Sequence, residues 1–229
     1  MPKSKRVKVV NLTKTDKKTK DHKVELVTKI REALDSHDHV YVFSVENMRN
    51  TFLKDVRNER SNDRFFFGRV RVMAKALGTT AEDEQKDNLH LLADKLVGNV
   101  GLLFSNDDLA KVKEYFDGFW KKDYARSGCT ATETVTIAEG PVMRGEDGFP
   151  HNMEPQLRSL GMPTALVNGV VTLRSEHTIC KEGDVLTPEQ AQLLKHFFVQ
   201  QADFHVQLIA HWTNGKFEEI EQPDADAMA

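Results

Sequence analysis

The sequence predicts an α/β protein, an α/β sandwich core with a mostly buried sheet and a smaller inserted α/β domain. Three observations predict it. Amphipathic helical stretches alternate with short apolar, β-branched runs between residues 24 and 120. The composition changes near Ser127, after which glycine and proline punctuate short strands up to about Gly183. A long alternating stretch, "FHVQLIAHW", then follows and is long enough to return to the core, which makes the intervening segment an insertion. The expected organisation is a basic arm over 1–23, the core over 24–127, the insertion over 128–200, return strands over 201–222 and an acidic tail over 223–229.

Taken in order, "VELVTKIREAL" sets Val24, Val27, Ile30 and Leu34 at helical spacing. "HVYVFSV" is β-branched and aromatic, hence a buried strand, and "NMRNTFLKDVRNER" spaces Met48, Phe52 and Val56 four apart for a second helix. "RFFFG" reads as a strand and "VRVMAKAL" as a short helix. In "TTAEDEQKDNLHLLADKL" Thr79 or Thr80 caps an expected helix, with acids in its first turn and Leu89, Leu92 and Leu96 inward. "NVGLLF" is a strand, and "SNDDLAKVKEYFDGFW" a helix capped by Asn106 or Asp107, with Leu109, Val112, Phe116 and Phe119 inward. Within the insertion, "TVTI" and parts of "GPVMRGEDGFP" are short strands and "EPQLRSLGM" is a helix-length piece. "TALVNGVVTL" is a hairpin, because Asn168-Gly169 suits a two-residue turn with positive φ at both positions; Asn214-Gly215 repeats the signal. "TPEQAQLLKHFF" has Thr187 as N-cap, Pro188 at the first helical position and Gln190 to close a capping box.

The 229 residues are 39% hydrophobic and 29% charged, the balance of a globular protein with a real core. No run approaches the roughly 20 apolar residues of a membrane span, so no membrane partner is expected. Cys129 and Cys180 stand far apart, which argues against a paired-cysteine zinc site and for a reducing compartment. The net charge of −3 conceals an asymmetry. Residues 1–23 hold nine Lys/Arg against two Asp, and "FEEIEQPDADAMA" has five acids and no base. The basic arm, with Lys3, Lys5, Arg6, Lys8, Lys14, Lys17, Lys18 and Lys20, calls for an anionic target of its own.

A second basic feature lies at "FFFGRVRVMAKALG". On a helical projection Val72, Met73, Ala76 and Leu77 share one face, and Arg71 and Lys75 lie opposite. Gly68 lets the backbone turn without a side chain obstructing close approach, and Arg69 stands at the helix entrance, where free N–H groups favour an anion. The corner reads as a phosphate grip continuous with the arm; a solvated helix face is the competing reading.

The order "MPKSKR…TKTDKK", "IREALDSHDHVYVFSVENMRN", "FFFGRVRVMAKALG", "VGLLFSNDD", "VKEYF" and "DYARSG" resembles the mRNA turnover protein 4 family. These are ribosome assembly factors related to the acidic stalk-base protein of the large ribosomal subunit. In the insertion, "TVTIAEGPV", "LGMPTALVNGVVTL" and "HTICKEGDVLTPEQAQLLK" resemble that stalk protein in the same order. The resemblance implies a stalk-base-protein-like fold and a non-catalytic, cofactor-free ribosome biogenesis factor. It would bind large-subunit rRNA at the stalk base of a pre-ribosome, holding the place of the mature stalk protein. The implied partners are that rRNA, a neighbouring stalk-base ribosomal protein, other assembly factors and a phosphatase-type, zinc-containing release factor. The implied location is the nucleolus and nucleus, with shuttling to the cytoplasm left open. The family's RNA-binding surface falls on the arm and on Gly68, Arg69, Arg71 and Lys75, with Arg49 as a neighbour. Many relatives have lysine where this chain has Arg69, which keeps the charge and changes the contact geometry. The chain ends about ten residues past its last predicted strand, where a stalk protein continues into partner-binding helices, so a placeholder is expected. A stalk-type structural protein and a regulator of mRNA decay are the alternatives.

No "GxSxG", Walker-type loop or "HExxH" occurs, so no enzyme is expected. The acids of "GTTAEDEQKDN" are read as a helix start and not as a metal site. His205 and His211 share a strand face without a third ligand and are read, with His37 and His39, as core or surface residues.

Overall fold

The computed structural model describes residues 20–220, as two compact units. The first half of the chain forms α1 (Lys20–Ser36), β1 (His39–Glu46), α2 (Asn50–Glu59), β2 (Arg64–Phe66), α3 (Val70–Leu77), α4 (Leu89–Asp94), β3 (Val100–Ser105) and α5 (Leu109–Gly118). There follow β4 (Lys121–Asp123), β5 (Val135–Ile137), β6 (Gly140–Pro141), β7 (Met143–Arg144), β8 (Asp147–Gly148) and α6 (Glu154–Ser159). The remainder is β9 (Thr164–Val167), β10 (Val170–Leu173), β11 (His177–Cys180), α7 (Pro188–His196), β12 (Ala202–Thr213) and β13 (Lys216–Glu219). One unit takes residues 20–42, 63–106 and 209–220, the other 43–62 and 107–208, so β1 and β12 each contribute to both. No helix among the described residues is long and apolar enough to cross a membrane.

The first unit carries strands in the order β13-β12-β1-β3-β2. β2 runs antiparallel to β3, with Phe65 opposite Leu103, and β12 to β13, with Trp212 opposite Phe217. The β12–β13 connection is the expected Asn214-Gly215 turn, with φ of 44° and 82°. Strand alternation sends Val40, Val42, Leu102, Phe104, Ala210 and Trp212 into one core. The helical stripes Ile30/Leu34, Met73/Leu77 and Leu89/Leu92 cover it.

The helix expected from Thr79 or Thr80 begins instead at Leu89. Gly78 ends α3 at φ 110°, and a Cβ there would come within 2.3 Å of the Glu84 backbone, so the chain doubles back over residues 79–88. The Glu84 carboxylate then accepts from the backbone N–H of Asn88 and His90 (both 3.2 Å) and sits 2.7 Å from His90 Nδ1. An acid read as belonging to a first turn caps the helix from outside it. The α5 cap differs as well. Asp108 is the N-cap, in extended conformation, while Asn106 accepts the Asp38 N–H and Asp107 pairs with Arg60.

In the second unit α2 and α5 are tied by Tyr115 Oη donating to Glu59 and by the Arg60 guanidinium over the Tyr115 ring. The rings of Phe52 and Phe119 both meet Phe204 of β12 edge-on. Residues 125–202 have their own core, with Leu157, Val171, Leu173, Ile179, Leu193 and Leu194 buried. The β9–β10 hairpin turns at Asn168-Gly169 with φ of 51° and 80°. Both bonds of the Thr187–Gln190 capping box are present at the start of α7. Strands β4 and β11, three and four residues long, carry no periodic signal that predicts them. They are held by pairing to β12 and β5, not by a pattern of their own.

Candidate nucleic-acid interface

The corner after β2 is built as the projection of α3 requires. Met73, Ala76 and Leu77 are buried, and Arg71 and Lys75 are exposed. Val72, assigned to the inner face, is half-buried. Arg69 is the N-cap, extended at φ −69° and ψ 125°, and its carbonyl accepts from Val72 and Met73 N–H (2.8 and 3.1 Å). That fixes the backbone and leaves its side chain exposed at the helix entrance, where first-turn N–H groups lack intrahelical partners.

Gly68 serves a different contact from the one the sequence suggested. Its φ is not positive; a Cβ there would lie 2.6 Å from Leu26 Cδ2 of α1. The missing side chain lets α1 approach the corner. Between them opens a cleft of about 520 Å³, with His22, Lys23, Leu26 and Lys29 on one wall and Phe67, Gly68, Arg69 and Val72 on the other. Glu25 is the only acid lining it among the described residues, and it pairs with Lys29 at 2.7 Å and His22 at 3.5 Å. The Lys29 hydrogen bond holds the Glu25 carboxyl below the usual carboxylate range, so it stays ionised and matched to its partners. Lys23 and Arg69 therefore line the cleft with its one acid among the described residues, Glu25, already engaged by Lys29 and His22.

Residues 18–121 match the family model for Ribosomal protein L10, and residues 125–199 match the model for the insertion domain found in 60S ribosomal proteins of that type. Ribosome assembly factor mrt4 of Neurospora crassa is 45% identical over 239 residues, covering 97% of this chain and 95% of that protein. The chain belongs to the mrt4 ribosome assembly factor family. The mrt4 protein of Dictyostelium discoideum is 44% identical, with 97% and 98% covered. Large ribosomal subunit protein uL10x of Arabidopsis thaliana is 24% identical over 90% of this chain and 61% of its own length. The fold of this mrt4-family chain is accordingly an L10-type α/β domain carrying the ribosomal insertion domain.

The structure brings Gly68 and Arg69 together with α1 in the cleft, while Arg71 and Lys75 are exposed on α3 and are not among the residues that line it. Lys20 is exposed on the first turn of α1; Lys3, Lys5, Arg6, Lys8, Lys14, Lys17 and Lys18 lie outside the described residues. Arg49 is the N-cap of α2 in the other unit, ion-paired with Asp123 and donating to the Tyr124 carbonyl at 2.6 Å. Lys23 and Lys29 went unassigned at the corner, although one signal was available for Lys23. It continues the spacing of Val27, Ile30 and Leu34 by one turn, so a cation occupies a stripe position just past the core.

The histidines take structural places. His205 lies flat against Trp120, with ring centroids 4.0 Å apart, and His211 stacks on Tyr41 and has Nε2 2.9 Å from His39 Nδ1. Among the described residues no three His, Cys, Asp or Glu side chains are grouped to hold a metal.

Proposed function

We propose that this chain is a non-catalytic ribosome assembly factor that seats its cationic corner on the rRNA of the stalk base in a large-subunit precursor. There it keeps the place that the stalk protein later takes. The observation that carries this reading is the convergence of α1 and α3 on one cation-lined cleft, in the segment that matches ribosomal protein L10. Arg69, Arg71 and Lys75 contact phosphates, the cleft takes backbone or a splayed base beside Phe67, and the arm extends the contact. In this reading the chain works in the nucleolus and nucleus, beside a neighbouring stalk-base ribosomal protein and other assembly factors. A phosphatase-type, zinc-containing factor releases it.

Charge reversal R69E/R71E/K75E tests the surface. Affinity for a transcribed stalk-base rRNA fragment is expected to fall on the order of 100-fold at moderate salt. Unchanged affinity sinks the reading. The likeness to uL10x supports a second reading, a structural stalk-type component. Co-sedimentation with translating polysomes would favour that one over the placeholder.

A further inference from the structure

We infer that the second unit carries a separate contact for the RNA phosphate backbone, in a polar cleft formed by the start of α2, the 123–127 loop and α7. This rests on the RNA-binding reading above and adds a site to it. The cleft, about 620 Å³, is where two stretches noted in the sequence, "ENMRN" and "DYARSG", come together.

Arg49 holds them. Its Nε pairs with Asp123 and its Nη2 donates to the Tyr124 carbonyl at 2.6 Å, while the Tyr124 N–H donates to Asp123 Oδ1 at 2.7 Å. The loop is thereby tied to the first residues of α2, with Arg126 and Ser127 in the wall of the cleft. Asp123 is the only carboxylate in the lining among the described residues, and the Arg49 ion pair neutralises it. Arg126 and Lys195 are exposed on the walls, and neither is drawn into an ion pair among the described residues. The potential in the cleft is therefore positive.

The rest of the lining selects the kind of partner. Thr51 and Ser127 supply hydroxyls, and Asn50 and Gln192 supply amides. Arginine, lysine, hydroxyls and amides are the groups that contact phosphate and sugar in protein–nucleic acid complexes. The aliphatic lining is confined to the small residues Ala125, Pro188 and Ala191, and the one aromatic among the described lining residues, Tyr124, is of a type that also contacts phosphate. An RNA backbone fits this chemistry better than an acidic peptide.

The test uses the full chain with R126Q/K195Q and, in parallel, R69Q/R71Q/K75Q, titrated with a transcribed stalk-base rRNA fragment over a range of salt. Both residues of the first variant are exposed, so the fold is expected to survive, and an unchanged urea midpoint checks it. R126Q/K195Q is expected to weaken binding and to make the log–log salt slope shallower by about 1 for each phosphate no longer engaged. If R126Q/K195Q binds as the parent does while the corner variant fails, the inference falls and the RNA reading stands. If neither variant changes binding, both fall. If R126Q/K195Q leaves the RNA slope unchanged but abolishes retention of poly-glutamate, the cleft serves an acidic protein and the inference is overturned.

Discussion

Gly68 shows how one residue type can be right for a reason other than the one its sequence context suggests. Glycine followed by cations reads as room for a ligand; in the structure the room is taken by Leu26 of α1. G68A is expected to cost about 1 kcal/mol through overpacking, because the Leu26 side chain must move aside. The same substitution in an L26A background should cost nothing further, and a double-mutant cycle by urea denaturation checks the coupling. His211 supplies the pH counterpart. Burial pushes its imidazole down to about 4, with His39 adding to the effect and Glu218 opposing it. The unfolded chain therefore binds a proton at this residue between about pH 6.5 and 4 that the folded chain does not, and stability falls as pH falls through that window. The loss attributable to His211 is on the order of 3 kcal/mol. His196 and His205, also lowered by burial, act in the same direction. The urea midpoint of H211Q should depend on pH less steeply than the parent's over that range; an equal slope would contradict the burial argument.

Elements whose signals are local were legible residue by residue. The capping box of α7 and both Asn-Gly turns stand where "TPEQ" and "NG" put them, and α3 spans the expected Val70–Leu77. T187A is expected to lower stability by about 1 kcal/mol, read as a fall in urea midpoint without change in m. Elements that depend on distant partners were not legible. The 79–88 segment carries enough acids to look like a helix start, yet the Gly78 approach to Glu84 turns it back and Glu84 becomes an external cap. The corner shows both cases: the amphipathic projection of α3 separated Arg71 and Lys75 from the core, but nothing local joined Lys23 to Arg69.

For the whole molecule, charge is distributed against the small net value. A chain of net charge −3 keeps a basic arm at one end, a cation-lined cleft in one unit and a second polar, cationic cleft in the other. If these surfaces act on RNA, affinity should follow a log–log salt slope of about −0.7 to −0.9 per phosphate neutralised. Removing residues 1–19 should make that slope shallower by the same amount for each arm cation that meets a phosphate. A slope indifferent to the arm would exclude it from the interface.

Periodicity, turn chemistry and composition were enough, from the sequence by itself, to establish the α/β class, most helices, the hairpins, the charge asymmetry and the resemblance that near full-length relatives bear out. These signals act over a few residues or over the whole chain, and both ranges are visible without coordinates. Only the tertiary structure decided which cations share a cleft, that Arg49 is tied to Asp123 and that Gly68 makes way for α1. Those outcomes depend on side chains brought together by burial of the core, and packing, not proximity in the chain, selects such neighbours.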